Sequence, residues 1–199
     1  MTKNKLFSAR YVAGTAMLTA IAFILMYLEF PIPIMPSFLK FDFSDLPAVI
    51  GAFAYGPLAG VLIEFLKNLI HLPFTNTVGI GEISNFVLGA VFAFTVGMIY
   101  KHKKTKGGAL IAGLCGAVAM ALISVPVNFF AVYPLYYSVL HYSEEAVLDM
   151  YQAILPSMKS ILQCLFVFNL PFTLVKGLIS VVITMLIYKP LSPLLHGRR

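Results

Sequence analysis

The chain has 199 residues, of which 60% are hydrophobic and 11% charged, and its mean hydropathy is +0.91. Soluble domains carry roughly 25% charged and 45–50% apolar residues, so this composition excludes a soluble globule, a disordered chain and a disulfide scaffold. The length accommodates about six spans of ~20 residues with short connections. The sequence therefore predicts a single all-α integral membrane domain over residues 1–199, a six-helix transmembrane bundle set in the lipid bilayer.

The net charge of +6 does not indicate a nucleic-acid partner, because the basic residues flank apolar runs rather than line one polar face. The two cysteines, Cys115 and Cys164, lie within apolar runs and lack metal-ligand spacing. We interpret both as small buried hydrophobic residues. We therefore expect neither a metal site nor a cofactor.

Six apolar segments are predicted as membrane spans. They cover residues 11–30, 45–56, 58–72, 80–100, 109–133 and 161–188. Because Lys3, Lys5 and Arg10 precede the first segment, a cleaved signal peptide is the alternative interpretation. Residues 27–30 offer no small-residue cleavage site, so we predict that the first segment is a span.

Prolines mark the connection after the first span. Pro31, Pro33 and Pro36 exclude a helix there, since proline removes a hydrogen-bond donor and restricts the preceding residue. We predict a loop through residue 42, after which Ser44 and Asp45 supply cap chemistry for the second helix.

The second half of the chain contains prolines inside spans and one amphipathic segment. Pro126 and Pro134 are expected to interrupt the fifth span, and Pro171 lies within the sixth. Between those spans, Val147 and Tyr151 share one face of a predicted helix that starts near residue 144. This pattern favours an interfacial amphipathic helix over a further span.

The basic residues predict the orientation. Ten of the fourteen lysines and arginines lie before the first span, within residues 101–106, or after the last span at Lys189, Arg198 and Arg199. If six helices cross, all three stretches lie on one side, which the positive-inside rule assigns to the cytoplasm. Both termini are then cytoplasmic.

Polar side chains occupy one face of several predicted spans. They are Glu64, Lys67, Asn68 and His71 in the third, Glu82 and Asn85 in the fourth, Asn128 in the fifth, and Asn169, Thr173 and Lys176 in the sixth. Ionisable residues within spans are costly and usually functional, although any one of them could be an interhelical contact. Glu64 could pair with Lys67, and Lys176 with Glu82. Convergence from four helices nevertheless favours a pocket that opens in the outer half of the bilayer.

Aromatic residues are predicted to surround the mouth of this pocket. They are Phe38, Phe41, Phe43, Phe129, Phe130, Tyr133, Tyr136 and Tyr137. Aromatic walls with a few amide and charged groups suit a flat heteroaromatic solute with a polar edge. An interfacial aromatic belt remains the alternative for the three tyrosines.

The first span carries Ala16 and Ala20 four residues apart, a spacing that lets another helix approach closely or that serves internal packing. The sequence contains no phosphate-binding loop and no zinc-protease or serine-hydrolase motif. We therefore predict a binding protein, not an enzyme, that depends on a partner for energy. The alternatives are a small polytopic membrane enzyme acting on a lipid or isoprenoid substrate and a standalone facilitator.

Four stretches together resemble the riboflavin-specific substrate-binding (S) component of energy-coupling factor (ECF) transporters. They are residues 38–47 (FLKFDFSDLP), 51–57 (GAFAYGP), 64–68 (ExxKN) and 169–177 (NLPFTLVKG). The resemblance covers nearly the whole chain in the same helix order. It implies six helices in a bacterial plasma membrane, a vitamin bound near the outer face, and a module of one membrane coupling subunit with two ATPases.

The resemblance also implies residue roles. Leu39, Lys40 and Phe41 would cover the flavin, Asn128, Asn169, Thr173 and Lys176 would face its ring edge or ribityl chain, and Ala16 and Ala20 would dock on the coupling subunit. The ribityl hydroxyls need further amide and carboxylate partners, which Glu64, Asn68, Glu82 or Asn85 could supply. Riboflavin would be the transported ligand rather than a cofactor, and binding of flavin mononucleotide is left open.

Overall fold

Nearly all of the described chain is helical. The structure is a computed structural model that describes residues 8–196, with side chains to residue 188. The helices are α1 (Ala9–Tyr27), α2 (Asp45–Tyr55), α3 (Pro57–His71), α4 (Ile80–His102), α5 (Lys106–Val127), α6 (Tyr133–Val139), α7 (Glu144–Gln152), α8 (Ile161–Cys164) and α9 (Leu170–His196). Of the basic residues used to predict the orientation, Lys3, Lys5, Arg198 and Arg199 lie outside the described residues, as does the side chain of Lys189.

Among the described residues, five helical segments are long and apolar enough to cross a membrane. They are Ala9–Tyr27, Pro57–Phe74, Ile80–His102, Lys106–Val139 and Ile161–Tyr188. Six full spans are therefore not confirmed, because α2 has only 11 residues. At ~1.5 Å per residue it reaches about 16 Å, roughly half of the hydrocarbon core. Nine of its residues are buried, so α2 is a half-length helix enclosed by the others.

The segment after α1 forms a short β-ribbon rather than an irregular loop. Strand β1 (Phe30–Pro31) pairs antiparallel with β2 (Lys40–Phe41), with Phe30 opposite Phe41. We call residues 28–44 the ribbon loop. Because the chain leaves α1 to form this ribbon, the helix ends at Tyr27, earlier than predicted. It also begins earlier, since the Ser8 hydroxyl accepts a hydrogen bond from the Tyr11 amide at 3.2 Å.

The predicted interruption of the fifth span takes the form of a π-helical turn, Asn128–Val132, which joins α5 to α6 without a break. A second π-turn, Leu165–Asn169, joins α8 to α9. Each turn lies beside a proline, Pro126 or Pro171, which has no amide hydrogen to donate to the helical ladder. π-Turns of this kind often occur at functional sites.

Helix α7 is amphipathic as predicted, but its apolar face packs on protein. Val147 and Tyr151 are buried in a cluster with Val132, Tyr133 and Leu165. The bundle offers this face an aromatic and aliphatic surface, so α7 covers one end of the bundle rather than only lying in the membrane interface.

The packing order of the long helices sets the position of the polar faces. Helix α4 packs between α3 and α5, α5 also contacts α9, and α1 contacts α2 and α3. The prediction that both cysteines are buried is wrong for Cys115, which is exposed on α5, whereas Cys164 is buried. Cys115 lies on the outward face of α5 within a run of apolar residues, where sequence hydropathy does not distinguish core from surface.

Candidate ligand-binding site

A cavity of about 400 Å³ opens at the end of the bundle where α1 and α3 end and α4 begins. Ligand sites in proteins usually enclose roughly 300–1,000 Å³. Its walls come from the ribbon loop, α4, α7, α9 and both π-turns. Polar groups from distant parts of the chain therefore share one volume.

Eight of the eleven predicted ligand-binding residues line this cavity. They are Leu39, Lys40, Glu82, Asn85, Asn128, Asn169, Thr173 and Lys176. The other three, Phe41, Glu64 and Asn68, are buried behind its wall. The Phe41 ring packs edge-on against Phe43 and Phe172, with centroids 5.2 and 6.1 Å away, so it supports the ribbon loop instead of facing the cavity.

Each π-turn places one asparagine at the cavity. One asparagine already uses its amide nitrogen in a hydrogen bond to protein, and the other already uses its amide oxygen. Asn128 donates from Nδ2 to the Ser124 carbonyl at 2.7 Å, which leaves its Oδ1 as an acceptor. Asn169 accepts at Oδ1 from the Tyr151 hydroxyl at 2.6 Å, which leaves its Nδ2 as a donor. The cavity thus presents one acceptor and one donor from two asparagines.

Tyr151 controls the orientation of Asn169, a role that sequence reasoning missed. The side chain is fully buried on α7, and its hydroxyl also shares a hydrogen bond with that of Tyr133. Burial raises the pKa of Tyr151, so the hydroxyl stays protonated and able to donate. A buried tyrosine hydroxyl usually requires a hydrogen-bond partner. Because the sequence places Tyr151 on the apolar face of α7, that requirement is the signal in the sequence for such a role.

Aromatic rings close the same side of the cavity. The Phe38 ring meets Tyr133, Tyr136 and Tyr151 edge-on, at centroid distances of 6.3, 6.0 and 5.9 Å. Of the eight residues predicted to surround the mouth, Phe38, Tyr133 and Tyr136 line the cavity, whereas Phe41, Phe43, Phe129, Phe130 and Tyr137 do not. Phe130 does not contribute, because it is 76% exposed.

Lys176 lies in a buried ion-pair cluster with residues of the ribbon loop and α2. Its Nζ is 2.9 Å from Asp42 Oδ2 and 3.3 Å from Asp45 Oδ2. Lys67 Nζ approaches the same Asp45 at 2.7 Å and donates to Ser44 Oγ at 2.7 Å. Two buried lysines thus neutralise two buried aspartates, and the cluster joins the ribbon loop to α3 and α9.

The predicted alternative pairing of Lys176 with Glu82 is wrong. Glu82 Oε1 lies 2.9 Å from His71 Nδ1, and its Oε2 accepts from the Thr75 hydroxyl at 2.7 Å. Both partners lie near the end of α3, directly beside the start of α4. The sequence indicates that Lys176 needs a carboxylate, and the structure supplies it from Asp42, which lines the cavity.

Glu64 and Asn68 support the cavity wall from behind. Glu64 Oε2 is 2.8 Å from Lys67 Nζ, which confirms the predicted pair, although neither carboxylate oxygen has hydrogen-bond geometry to a partner. The carboxylate lies against Gly89, where a Cβ would be 2.2 Å from Oε2. Asn68 donates to the Glu64 carbonyl at 2.8 Å and to Asn85 Oδ1 at 3.3 Å. These contacts hold Asn85 at the cavity.

Ala16 and Ala20 do not line the cavity and are both exposed on α1. Their exposure argues against the alternative in which they serve internal packing. Within residues 8–188, whose side chains the structure describes, no group of three or more His, Cys, Asp or Glu side chains is arranged to hold a metal ion. The cavity, with its amide and aromatic lining, is thus separate from the exposed face of α1 that carries Ala16 and Ala20.

A family model described as "ECF transporter, substrate-specific component" matches residues 10–188. The riboflavin transporter FmnP of Bacillus subtilis (strain 168) is 32% identical over 187 residues, which cover 92% of this chain and 93% of that protein. The riboflavin transporter RibU of Staphylococcus aureus (strain TCH60) is 31% identical and covers 89% of this chain and 87% of its own length. A solved structure of the S component of a bacterial ECF transporter superposes with a TM-score of 0.73 at 29% identity, covering 93% of this chain and 96% of that one.

This chain is a multi-pass helical bundle with a polar cavity at one end. Its fold and site therefore define a membrane protein that binds a solute. The chain belongs to the substrate-specific component family of ECF transporters, which confirms the resemblance seen in its motifs. Its role is accordingly substrate binding for transport rather than catalysis. This removes the alternative of a lipid-modifying or isoprenoid-modifying enzyme.

Proposed function

We propose that the chain captures riboflavin in the cavity described above and delivers it through an ATP-driven partner module. Its relatives FmnP and RibU are named riboflavin transporters. One observation carries the proposal for this chain. In the aromatic-lined cavity, Asn128 keeps its amide oxygen available as an acceptor and Asn169 keeps its amide nitrogen available as a donor.

The polar edge of the flavin ring matches these groups. The isoalloxazine imide presents an N–H donor flanked by two carbonyl acceptors. The free Oδ1 of Asn128 suits the imide N–H, while Asn169 Nδ2 and the Lys176 ammonium suit the carbonyls. Asn85 and Glu82 line the same cavity and suit the ribityl hydroxyls.

Titration of the purified protein by quenching of flavin fluorescence tests this proposal. We expect the wild-type protein to bind riboflavin, and Asn169→Ala and Lys176→Ala each to weaken binding by about tenfold or more, equivalent to ~1.4 kcal/mol. Lys159→Ala is the matched control, because Lys159 is exposed and does not line the cavity. Unchanged riboflavin affinity in both cavity variants would show that riboflavin does not bind at this site.

Flavin mononucleotide is the second ligand to examine by the same titration. Lys40 lies at the rim of the cavity, where its side chain is 31% exposed and paired with Glu29. A terminal phosphate at the mouth would compete with Glu29 for this ammonium. Binding of flavin mononucleotide that is selectively weakened by Lys40→Gln would support this additional ligand.

We also propose that the cavity faces the outside of a bacterial plasma membrane and that both termini are cytoplasmic. Five basic residues lie at the opposite end of the bundle, at the start of α1 and from the end of α4 to the start of α5: Arg10, Lys101, Lys103, Lys104 and Lys106. A concentration of basic residues at one end is typical of the cytoplasmic side.

The partners that we propose are a membrane coupling subunit and two ATPases. Support comes from family membership and from the exposed Ala16 and Ala20, whose small side chains allow a partner helix to approach α1 closely. Riboflavin uptake by this chain without any ATPase partner would instead favour a standalone facilitator.

A further inference from the structure

A second cavity, of about 660 Å³, lies at the basic end of the bundle. It is bounded by the start of α1, the turn between α2 and α3, and the end of α4. Its lining shares no residue with the riboflavin cavity and includes neither Ala16 nor Ala20. The roles proposed above for riboflavin binding and for partner docking therefore do not explain this second cavity.

The charge of this cavity is entirely positive among the residues that line it. Arg10, Lys101 and Lys104 contribute side chains, whereas no aspartate or glutamate lies in the described wall. The amino-terminal ends of α1 and α3 meet there, but so do the carboxyl-terminal ends of α2 and α4, so the helix dipoles largely cancel and the basic side chains set the charge. The local chemistry therefore favours an anion.

Three tyrosines give the cavity a fixed wall. Tyr11 and Tyr55 meet edge-to-face with ring centroids 5.8 Å apart. The Tyr55 ring lies directly on α1, since a Cβ at Gly14 would be 2.1 Å from its hydroxyl oxygen. Tyr100 packs against Phe53 with a centroid distance of 4.5 Å. These rings are held by packing, so the cavity is built into the helix arrangement.

The cavity lies at the boundary where the apolar helices meet the polar end of the bundle. Leu58, at its rim, is 59% exposed, while Lys101 and Lys104 follow the last apolar turn of α4. Tyrosines are enriched at this depth in membrane proteins. A ligand here would contact water with its polar group and hydrocarbon with its apolar part.

We propose that this cavity binds the phosphodiester headgroup of an anionic phospholipid, whose acyl chains extend over the exposed surface near Leu58. Basic pockets between transmembrane helices on the cytoplasmic side have this recognition chemistry. The three cations disfavour a zwitterionic lipid, because its ammonium group would be repelled. The basic end of the bundle then binds anionic phospholipids selectively.

Native mass spectrometry of the full chain, delipidated in neutral detergent and titrated with phosphatidylglycerol or phosphatidylcholine, tests the proposal. We expect one phosphatidylglycerol to bind preferentially. The variant Lys101→Gln/Lys104→Gln should weaken this binding by about tenfold or more. The matched control is Lys103→Gln/Lys106→Gln, which removes the same charge from the same basic run but from outside the cavity lining.

Each alternative result contradicts a defined part of the proposal. An equal loss of phosphatidylglycerol affinity in the two double variants would indicate that the lipid is attracted by diffuse surface charge and not bound in this cavity. Inorganic phosphate that displaces phosphatidylglycerol at similar concentration would indicate a site for free phosphate. If the first variant instead loses only assembly with the coupling subunit and keeps its lipid, the cavity receives a partner segment. Thermal unfolding of both variants in detergent checks that their folds are intact.

Discussion

At the scale of single residues, the cavity depends on side chains that orient others. Asn169 presents its amide nitrogen because the buried Tyr151 hydroxyl occupies its carbonyl oxygen. Lys176 is held by Asp42 and Asp45, so its ammonium cannot swing away from the wall. The ligand-facing groups are thus preorganised by contacts made before the ligand arrives, which lowers the cost of binding.

The substitution Tyr151→Phe tests this orientation. It removes one hydroxyl, frees the Asn169 amide to rotate, and should weaken riboflavin binding by several-fold to about tenfold, since a hydrogen bond contributes ~0.5–1.5 kcal/mol. The double variant with Asn169→Ala should bind no more weakly than Asn169→Ala alone, because both changes act on one interaction. Tyr137→Phe on α6 is the control, as Tyr137 does not line the cavity. Additive losses in the double variant would contradict the positioning role.

At the scale of helices, small residues permit the contacts that bring polar faces together. The Glu64 carboxylate of α3 occupies the space that a side chain at Gly89 of α4 would need. The π-turns have a comparable effect, because each widens one turn of a long helix and brings an asparagine to the cavity. Helix α2 is short enough to stay inside the bundle and deliver Asp45 to both lysines.

The contact between α3 and α4 predicts the effect of Gly89→Ala. A Cβ would lie 2.2 Å from Glu64 Oε2, and the forced shift should destabilise the protein by about 1–3 kcal/mol. Gly107→Ala is the matched control, because nothing lies within 4 Å of the added carbon and alanine favours the helix. Thermal unfolding in detergent measures both. Equal midpoints for the two variants would mean that α3 and α4 adjust freely.

The exposed alanines of α1 predict a separation of transport from binding. Ala16→Phe/Ala20→Phe should abolish riboflavin uptake in cells that supply the coupling subunit and ATPases, because bulky rings prevent close helix approach. Flavin affinity of the purified variant should stay unchanged, since neither residue lines the cavity. Val118→Phe on the exposed face of α5 serves as the control for added bulk. Loss of binding as well as uptake would show that the alanines pack internally.

At the scale of the whole molecule, the two ends of the bundle have different chemistry. One end carries the aromatic cavity with its amides and ion pairs, and the other carries a basic cavity between α1 and α4. This asymmetry distinguishes the two sides of the membrane, and in the proposed orientation the basic end lies inside. In that orientation, a solute captured from outside would leave its site through a change that the proposed partners drive.

Cysteine labelling tests this orientation. In a Cys115→Ser background, which removes the exposed native thiol and leaves the buried Cys164, we introduce Ser157→Cys or Lys103→Cys. A membrane-impermeant maleimide should label Cys at position 157 in intact cells, since that position lies in the connection between α7 and α8. Position 103 should react only after permeabilisation. The reverse pattern would invert the proposed topology and place the basic cavity outside.

Helical periodicity and hydropathy are local properties, so they determined the membrane class, the polar helix faces and six of the residues that line the cavity, while the family resemblance supplied Leu39 and Lys40. The bonding partners depend on packing between distant segments. Lys176 and Asp42 are 134 positions apart, and no local pattern favours that pair over Lys176 with Glu82. The same holds for the Tyr151 hydroxyl, which reaches Asn169 only because α7 folds onto the bundle. Tertiary structure decided these contacts because a buried charge or amide takes whichever partner the packed helices bring within hydrogen-bonding distance.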